Sequence, residues 1–367
     1  MFYDLGSGII SQSASGWPYF RTESFLNGTF FPLPDSLAAA PPFSLTPPIA
    51  SIYGAQRGLS LPVTYQWNVT LERALGRSNA ISVGYVGAAG RNLLRQEYWV
   101  KPNDDITYAY LLRNDAFSNF HSLQAQFQRR LSRGLQVLIS YTYGKSLDNN
   151  SNDSSSHLIA AAVNLKSDYG PSEFDIRQTL AAAFSYSLPK ARMLEPLTRG
   201  WALDGVFSAR SATPVDVTYS GDIGYGVYTW RPDVVPGQSL YLADPNVAGG
   251  RRFNPDAFEF PNTYPGRQGT LGRNVLRGFP IEQLNLTIRR EFPLYERARL
   301  QFRGEMFNTL NHPSFADPSG AMQSTQFGYS TQTLSQSLGR GGVNAGLNPL
   351  YQIGGPRSIQ LALRVVF

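Results

Sequence analysis

From Leu123 to Leu131 the chain alternates: Leu123, Ala125, Phe127 and Leu131 fall on one side, Gln124, Gln126, Gln128 and Arg130 on the other. Successive side chains of a strand point to opposite faces, so this two-residue period predicts a strand whose faces meet different surroundings. The pattern recurs in about nine segments, each near the length of a tilted membrane strand. Two lie upstream: Trp67, Val69, Leu71 and Leu75 against Asn68, Thr70 and Glu72, then Ile81, Val83 and Tyr85 against Ser82 and Gly84. Leu135, Val137, Ile139, Tyr141 and Tyr143 follow, and a long stripe runs Phe174, Ile176, Leu180, Ala182, Phe184, Tyr186 and Leu188. Further stripes are Trp201, Leu203 and Phe207; Leu284, Leu286 and Ile288; Leu300, Phe302 and Met306; and a closing Ile359, Leu361, Leu363, Val365 and Phe367.

The links between stripes alternate in length. Gly76 to Asn79, Ser132 to Gly134, Pro189 to Arg199 and Phe292 to Arg297 are short. Ala88 to Asn119, Ser146 to Pro171, Thr213 to Phe279 and Asn311 to Arg357 are long and rich in Gly, Asn, Ser and Pro. Structureless loops of that length count against a compact soluble domain but are ordinary on one side of an outer-membrane barrel, whose other side has tight turns. The expected fold class is therefore all-β, an antiparallel transmembrane β-barrel. If the short links are periplasmic, the last strand descends to end inside at Phe367, and the opening MFYD is the top of one more strand, cut near its beginning. Residues 1–65 are then an external loop after a truncated strand, and residues 66–367 carry about nine strands with long external loops, about ten in all.

Composition agrees. Charged residues are only 16% of the 367 while aromatics reach 13%, and 34 Gly with 25 Pro favour many short strands over long helices. No apolar run approaches the roughly 20 residues of a membrane helix, so a membrane location would be as a barrel. There is no cysteine, which removes disulfides and thiolate metal sites. The net charge of +6 with a pI near 9.4 raises nucleic acid as a partner, but the 32 Lys and Arg are scattered singly or in pairs rather than in a stripe. No nucleic-acid partner is expected.

Five phrases, in order, resemble the Oar-like family of TonB-dependent transporters: YQWNVTLERALGRSNAISVGYVGAAGRNLL, FHSLQAQFQRRLSRGLQVLISYTYGKSLDN, DYGPSEFDIRQTLAAAFSYSLP, GWALDGVFSARSATPVDV and GRNVLRGFPIEQLNLTIRREFPLYERARLQFRGEMFNTLNHPSF. The resemblance implies the C-terminal part of a barrel of about 22 strands, in the bacterial outer membrane, forming the pore wall for uptake of a large nutrient. Complete members of that family add a carboxypeptidase-regulatory-like domain and a plug; with both absent here, the TonB complex would act only through a missing plug. Other implied partners are outer-membrane lipid and the barrel-assembly machinery, for which Leu361, Leu363, Val365 and Phe367 resemble a terminal assembly signal.

Catalytic chemistry is not expected. His121, His157 and His312 are far apart, and no nucleophile elbow, phosphate loop or HExxH occurs. Asp104 and Asp105, or Asp148 and Asp153, lack calcium-hand spacing, which leaves loop calcium open but gives no metal site; no cofactor is expected. Trp67, Tyr141, Tyr143, Trp201 and Phe367 sit near strand ends, where interfacial girdles belong. In the loop GDIGYGVYTWRP, Tyr225, Tyr228, Trp230 and Arg231 are candidates to contact an unknown nutrient ligand, with ordinary loop packing as the alternative. A plug-less passive channel and an outer-membrane adhesin or surface structural protein stand as alternative functions.

Overall fold

A computed structural model describes residues 35, 46–151, 159–160, 168–189, 199–222, 227–261, 268–295, 298–335 and 354–366. Nine long strands form one meander: β1 (Val63–Leu75), β2 (Asn79–Asn103), β3 (Ile106–Ser132), β4 (Leu135–Asp148), β5 (Gln178–Ser187), β6 (Trp201–Arg210), β7 (Ile281–Tyr295), β8 (Ala298–Phe307) and β9 (Ser358–Val366). Each pairs antiparallel with the next. Every alternating stripe of the sequence supplies one of them, and the opening MFYD lies outside the described residues.

Register decides what the alternation becomes, because directly paired residues share a face. Ile81, Phe127, Ile139, Ala182, Phe207 and Leu284 form one row across six strands, and Tyr186, Leu203, Ile288, Gly304 and Leu361 form a lower one. The rows between them are Ser82, Gln126, Ser140, Ala181, Ser208 and Gln283, and Ser185, Asp204, Thr287, Glu305 and Gln360. One face of the sheet is thus continuously apolar and the other mostly polar. On the apolar face Leu71 is 75% exposed and Leu363 71%, so no layer of the described residues covers it. At Gly205 an added Cβ would run into the Phe184 ring, so the aromatic of β5 lies flat over β6.

The two short links that are fully described, Gly76 to Asn79 and Ser132 to Gly134, are tight turns. Arg133 (φ 52°) and Gly134 (φ 79°) are both left-handed, the two-residue arrangement that matches hairpin twist. At the opposite end the structure departs from the sequence expectation. Residues 88–119 are not a loop: β2 and β3 run on to a turn at Asp104 and Asp105. The 25 residues of β2, at about 3.3 Å each, reach about 80 Å, whereas about 10 residues cross a bilayer. Breaks in register at Gly90 to Leu93 and at Leu93 to Arg95 shift the faces, and consecutive Arg95, Gln96 and Glu97 are all buried, so polarity no longer alternates. The projecting hairpin is flanked by parallel strands on both edges, Ile49–Ala55 against β3 and Ile159–Ala160 against β2.

Phe174 and Ile176, expected in the fifth stripe, precede β5 instead. There the chain turns at Glu173 and Phe174, and the Asp175 carboxylate accepts from the Ser146 backbone amide at 2.7 Å. The path from β1 to β9 is open, with no pairing between these two strands among the described residues, and every residue of β1 is exposed.

Candidate functional site

The largest cluster of buried apolar residues described sits at the long-loop end, off the main sheet. The link from β6 to β7, expected to be structureless, folds with the segment after β8 around Val215, Val217, Phe253, Phe258, Leu276 and Phe327. Short strand pairs organise it: Pro214–Val215 with Leu276–Arg277, Tyr219–Asp222 with Val227–Trp230, Asp233–Val234 with Phe258–Glu259, and Tyr241–Ala243 with Arg251–Phe253. We call this folded unit the cap. Its turns and apolar residues do not keep a two-residue period, so only its composition was visible in the sequence.

Charges seat the cap on the rest of the chain. Arg231 Nη2 contacts Asp168 Oδ1 at 2.8 Å, and Asp168 Oδ2 lies 3.9 Å from Arg95 Nη1 of the projecting hairpin. Arg95 also meets Glu97 and Asp115 at 2.9 Å each, and Arg113 completes the group at 3.3 and 3.1 Å from the same two carboxylates. Arg273 Nη1 reaches Asp148 Oδ1 at 2.6 Å, both side chains almost fully buried, and Arg277 Nη2 reaches Asp175 Oδ2 at 2.5 Å. Neutral groups fill the gaps: the Asn274 amide donates to the Pro171 carbonyl at 2.8 Å, and Asn149 Oδ1 accepts from the Phe117 amide at 2.8 Å. The phrases DYGPSEFD and GRNVLRGFP therefore touch each other, across more than a hundred residues of sequence. Buried carboxylates and guanidiniums are tolerated because each finds opposite charge and hydrogen bonds.

Below the cap, the polar face of the sheet carries a second set. Arg289 Nε meets Asp204 Oδ2 at 2.7 Å and donates to Ser185 at 3.4 Å; Gln301 donates to Glu291 at 3.0 Å; Arg303 meets Glu305 at 2.6 Å. Leu138 and Val206 interrupt this face with exposed apolar side chains. The arrangement offers donors and acceptors of both signs to a hydrated solute, with no described histidine among them.

A family model described as an outer membrane beta barrel domain matches residues 1–342. The chain belongs to this outer-membrane β-barrel family. Its apolar face is accordingly the lipid face, and the protein resides in the bacterial outer membrane. Solved structures similar to the barrel include the outer membrane transporter YddB of Escherichia coli, 10% identical over 88% of this chain and 35% of that one, with a TM-score of 0.48. The FrpB iron transporter of Neisseria meningitidis is also 10% identical, over 86% and 33%, with a TM-score of 0.41. The pyoverdine outer membrane receptor FpvA of Pseudomonas aeruginosa is 11% identical, over 75% and 29%, with a TM-score of 0.38. This barrel chain spans about a third of the length of each. No curated protein matches it.

The candidate residues fall in different places on the barrel. Trp230 is 2% exposed, with its ring 5.3 Å from Phe260 and 6.3 Å from Tyr219, and Arg231 is committed to Asp168. Both are built into the cap. Tyr228 lies on the strand Val227–Trp230, and Tyr225 is outside the described residues. Leu361, Leu363 and Val365 line the lipid face of β9, exposed, while Phe367 is outside the described residues. His312 Nε2 lies 3.5 Å from Glu282 Oε1, His121 is on the lipid face, and His157 is not described. Asp148, considered for calcium with Asp153, is spent on Arg273; Asp153 is outside the described residues, and Asp104 pairs with Lys101 at 3.5 Å. Among the described residues no group of three or more His, Cys, Asp or Glu is placed to hold a metal ion.

One cap carboxylate stands apart. Asp317 accepts from the Thr213 hydroxyl at 2.6 Å, so it ties the segment after β8 to the start of the β6 to β7 link. Its carboxyl keeps a solvent-accessible edge, yet crowding by the cap raises its pKa above the usual aspartate value, partly offset by Thr213 and by the charge of Arg210.

Proposed function

We propose that this barrel is the wall and external cap of a TonB-dependent transporter of the Oar-like group, taking up a large nutrient. The observation that carries the reading is the pairing of a polar, charge-lined inner face with a folded external cap rooted in the same strands. A solute crossing such a wall exchanges water for fixed donors and acceptors, and the cap meets it first. Strand parity supports a wall larger than nine strands: β1 and β9 run in the same direction, so antiparallel closure needs an odd number of further strands between them. Coupling to the TonB complex would require a plug. On this reading Leu361, Leu363, Val365 and Phe367 present the last strand to the barrel-assembly machinery, Tyr225 and Tyr228 belong to the ligand-facing rim, and no enzymatic step or nucleic-acid partner is involved.

The test is uptake. A strain lacking the gene is screened on single carbon, nitrogen and iron sources, and accumulation of the affected nutrient is measured with and without a protonophore. Loss of one nutrient's uptake, restored by the gene and abolished by the protonophore, is expected. Protonophore-insensitive uptake would instead establish a passive channel, and loss of surface attachment with normal uptake an adhesin.

A further inference from the structure

The lipid face carries a cluster of positive charge at its external rim. One pairing row places Trp67, Gly87, His121 and Lys145 side by side on β1 to β4, and the row above it holds Tyr65, Ala89, Asn119 and Leu147. Gly87 leaves a gap that the Trp67 indole covers, since a Cβ there would run into the ring. The Trp67 and His121 rings are 6.1 Å apart, and the Tyr85 hydroxyl lies 2.6 Å from His121 Nδ1. With that hydroxyl donating, the imidazole proton sits on Nε2 as a further donor. Arg91 stands two residues further along β2, its guanidinium donating to Asn119 Oδ1 at 2.9 Å and to the Ser118 and Gly90 carbonyls at 2.9 and 2.7 Å. Arg91 and Lys145 are both exposed, and neither meets a carboxylate among the described residues.

Uncompensated cations are costly on a surface that faces hydrocarbon, and those found there reach toward the interface. At the rim of a bilayer the abundant anion is the lipid phosphate. We propose that Arg91, His121 and Lys145 form a binding site for the phosphate of an outer-leaflet lipid head group, with Trp67 and Tyr85 as its aromatic shelf. Cations at the other end of the lipid face are arranged differently: Arg129 donates to the Ser132 carbonyl at 3.4 Å, and Arg290 stacks on Trp201 and Phe292 at 5.2 and 4.5 Å. They stand on separate strands and are not gathered around one point. The proposal depends on the membrane wall and not on what the barrel transports.

The purified protein is loaded in micelles doped with lipid A or with its dephosphorylated form, and retained lipid is counted by native mass spectrometry. Wild-type protein should hold the phosphorylated lipid at least about tenfold better than the dephosphorylated one. Arg91→Gln with Lys145→Gln should remove that preference, while Arg73→Gln with Arg129→Gln, at the opposite end, should keep it. Heat-modifiable electrophoretic mobility checks that each variant is folded. Equal retention of the two lipids by the wild type overturns the proposal without any variant, and so does an undiminished preference in the folded R91Q/K145Q protein.

Discussion

Replacing Arg273 by methionine tests whether the cap is a folded unit seated by charge. Arg273 joins the cap to the end of β4 through Asp148, where side-chain exposures are 7% and 3%. It also donates to Ser151 and to the Asp148 and Asp168 carbonyls, the last two at 3.1 and 3.4 Å. Methionine keeps much of the volume and removes the charge, so among the described residues Asp148 is left buried with the Ser151 hydroxyl alone, at 2.9 and 3.0 Å. Breaking one partner out of such a pair costs about 3–5 kcal/mol. At about 1.4 kcal/mol per factor of ten, opening of the cap should rise at least about a hundredfold. The assay is limited proteolysis together with hydrogen exchange of the 211–280 amides, with the amides of β5 to β8 as the internal reference. Adding Asp148→Asn should recover a substantial part of the loss, because the orphaned charge is then gone. Unchanged protection of 211–280 in R273M would refute the reasoning, as would an equal loss of protection in the strands.

Three further outcomes follow from the same geometry. Cysteines at Leu123, Ala125 and Phe127 should resist a membrane-impermeant thiol reagent while those at Gln124, Gln126 and Gln128 react, and equal labelling of both sets in cells would remove the face assignment. Deleting Phe367 should lower outer-membrane levels of the protein without altering the inner wall; normal levels by membrane fractionation would count against a terminal assembly signal. Asp317 has its folded pKa raised, so its contribution to cap stability is full below the ordinary aspartate value and is lost as pH rises through the folded value. Asp317→Asn should abolish that component, seen as a cap whose protease resistance falls less than wild type's when pH is raised across that window; identical pH profiles would dismiss it.

How far the sequence was legible varied with the number of environments a segment meets. Leu123 to Leu131 faces lipid on one side and water on the other, and its alternation located both the strand and its faces. Residues 88–119 belong to the same two strands, but beyond the membrane Arg95, Gln96 and Glu97 are all enclosed by neighbouring segments. A segment buried on both sides has no reason to alternate, and the register breaks remove what period remains. The cap has the sequence of a loop because Gly and Pro dominate its turns; its core residues, from Val215 to Phe327, are too far apart in sequence to make a local pattern. Its charged seat left one trace. Asp168 and Asp175 in one family phrase, and Arg273 and Arg277 in another, are opposite charges at long separation, which become a pattern only when the fold brings them together.

That division also bears on why so many ion pairs gather where the cap meets the rest of the chain. The cap has an apolar core of its own, so it does not need the wall to complete it. The wall's outward apolar face is taken by lipid, and its other face is mostly polar, lined by residues such as Asp204, Arg289, Arg303 and Glu305. A greasy seat between them would extend exposed apolar surface into water whenever the cap lifted. An ionic seat leaves solvated side chains on both sides instead, so opening exposes no adhesive surface. The cost of breaking one pair is high while the pair remains buried, and falls once water reaches both partners together. On this argument R273M alone should loosen the cap more than R273M with D148N, and the hydrogen-exchange comparison of single and double variants measures that difference directly.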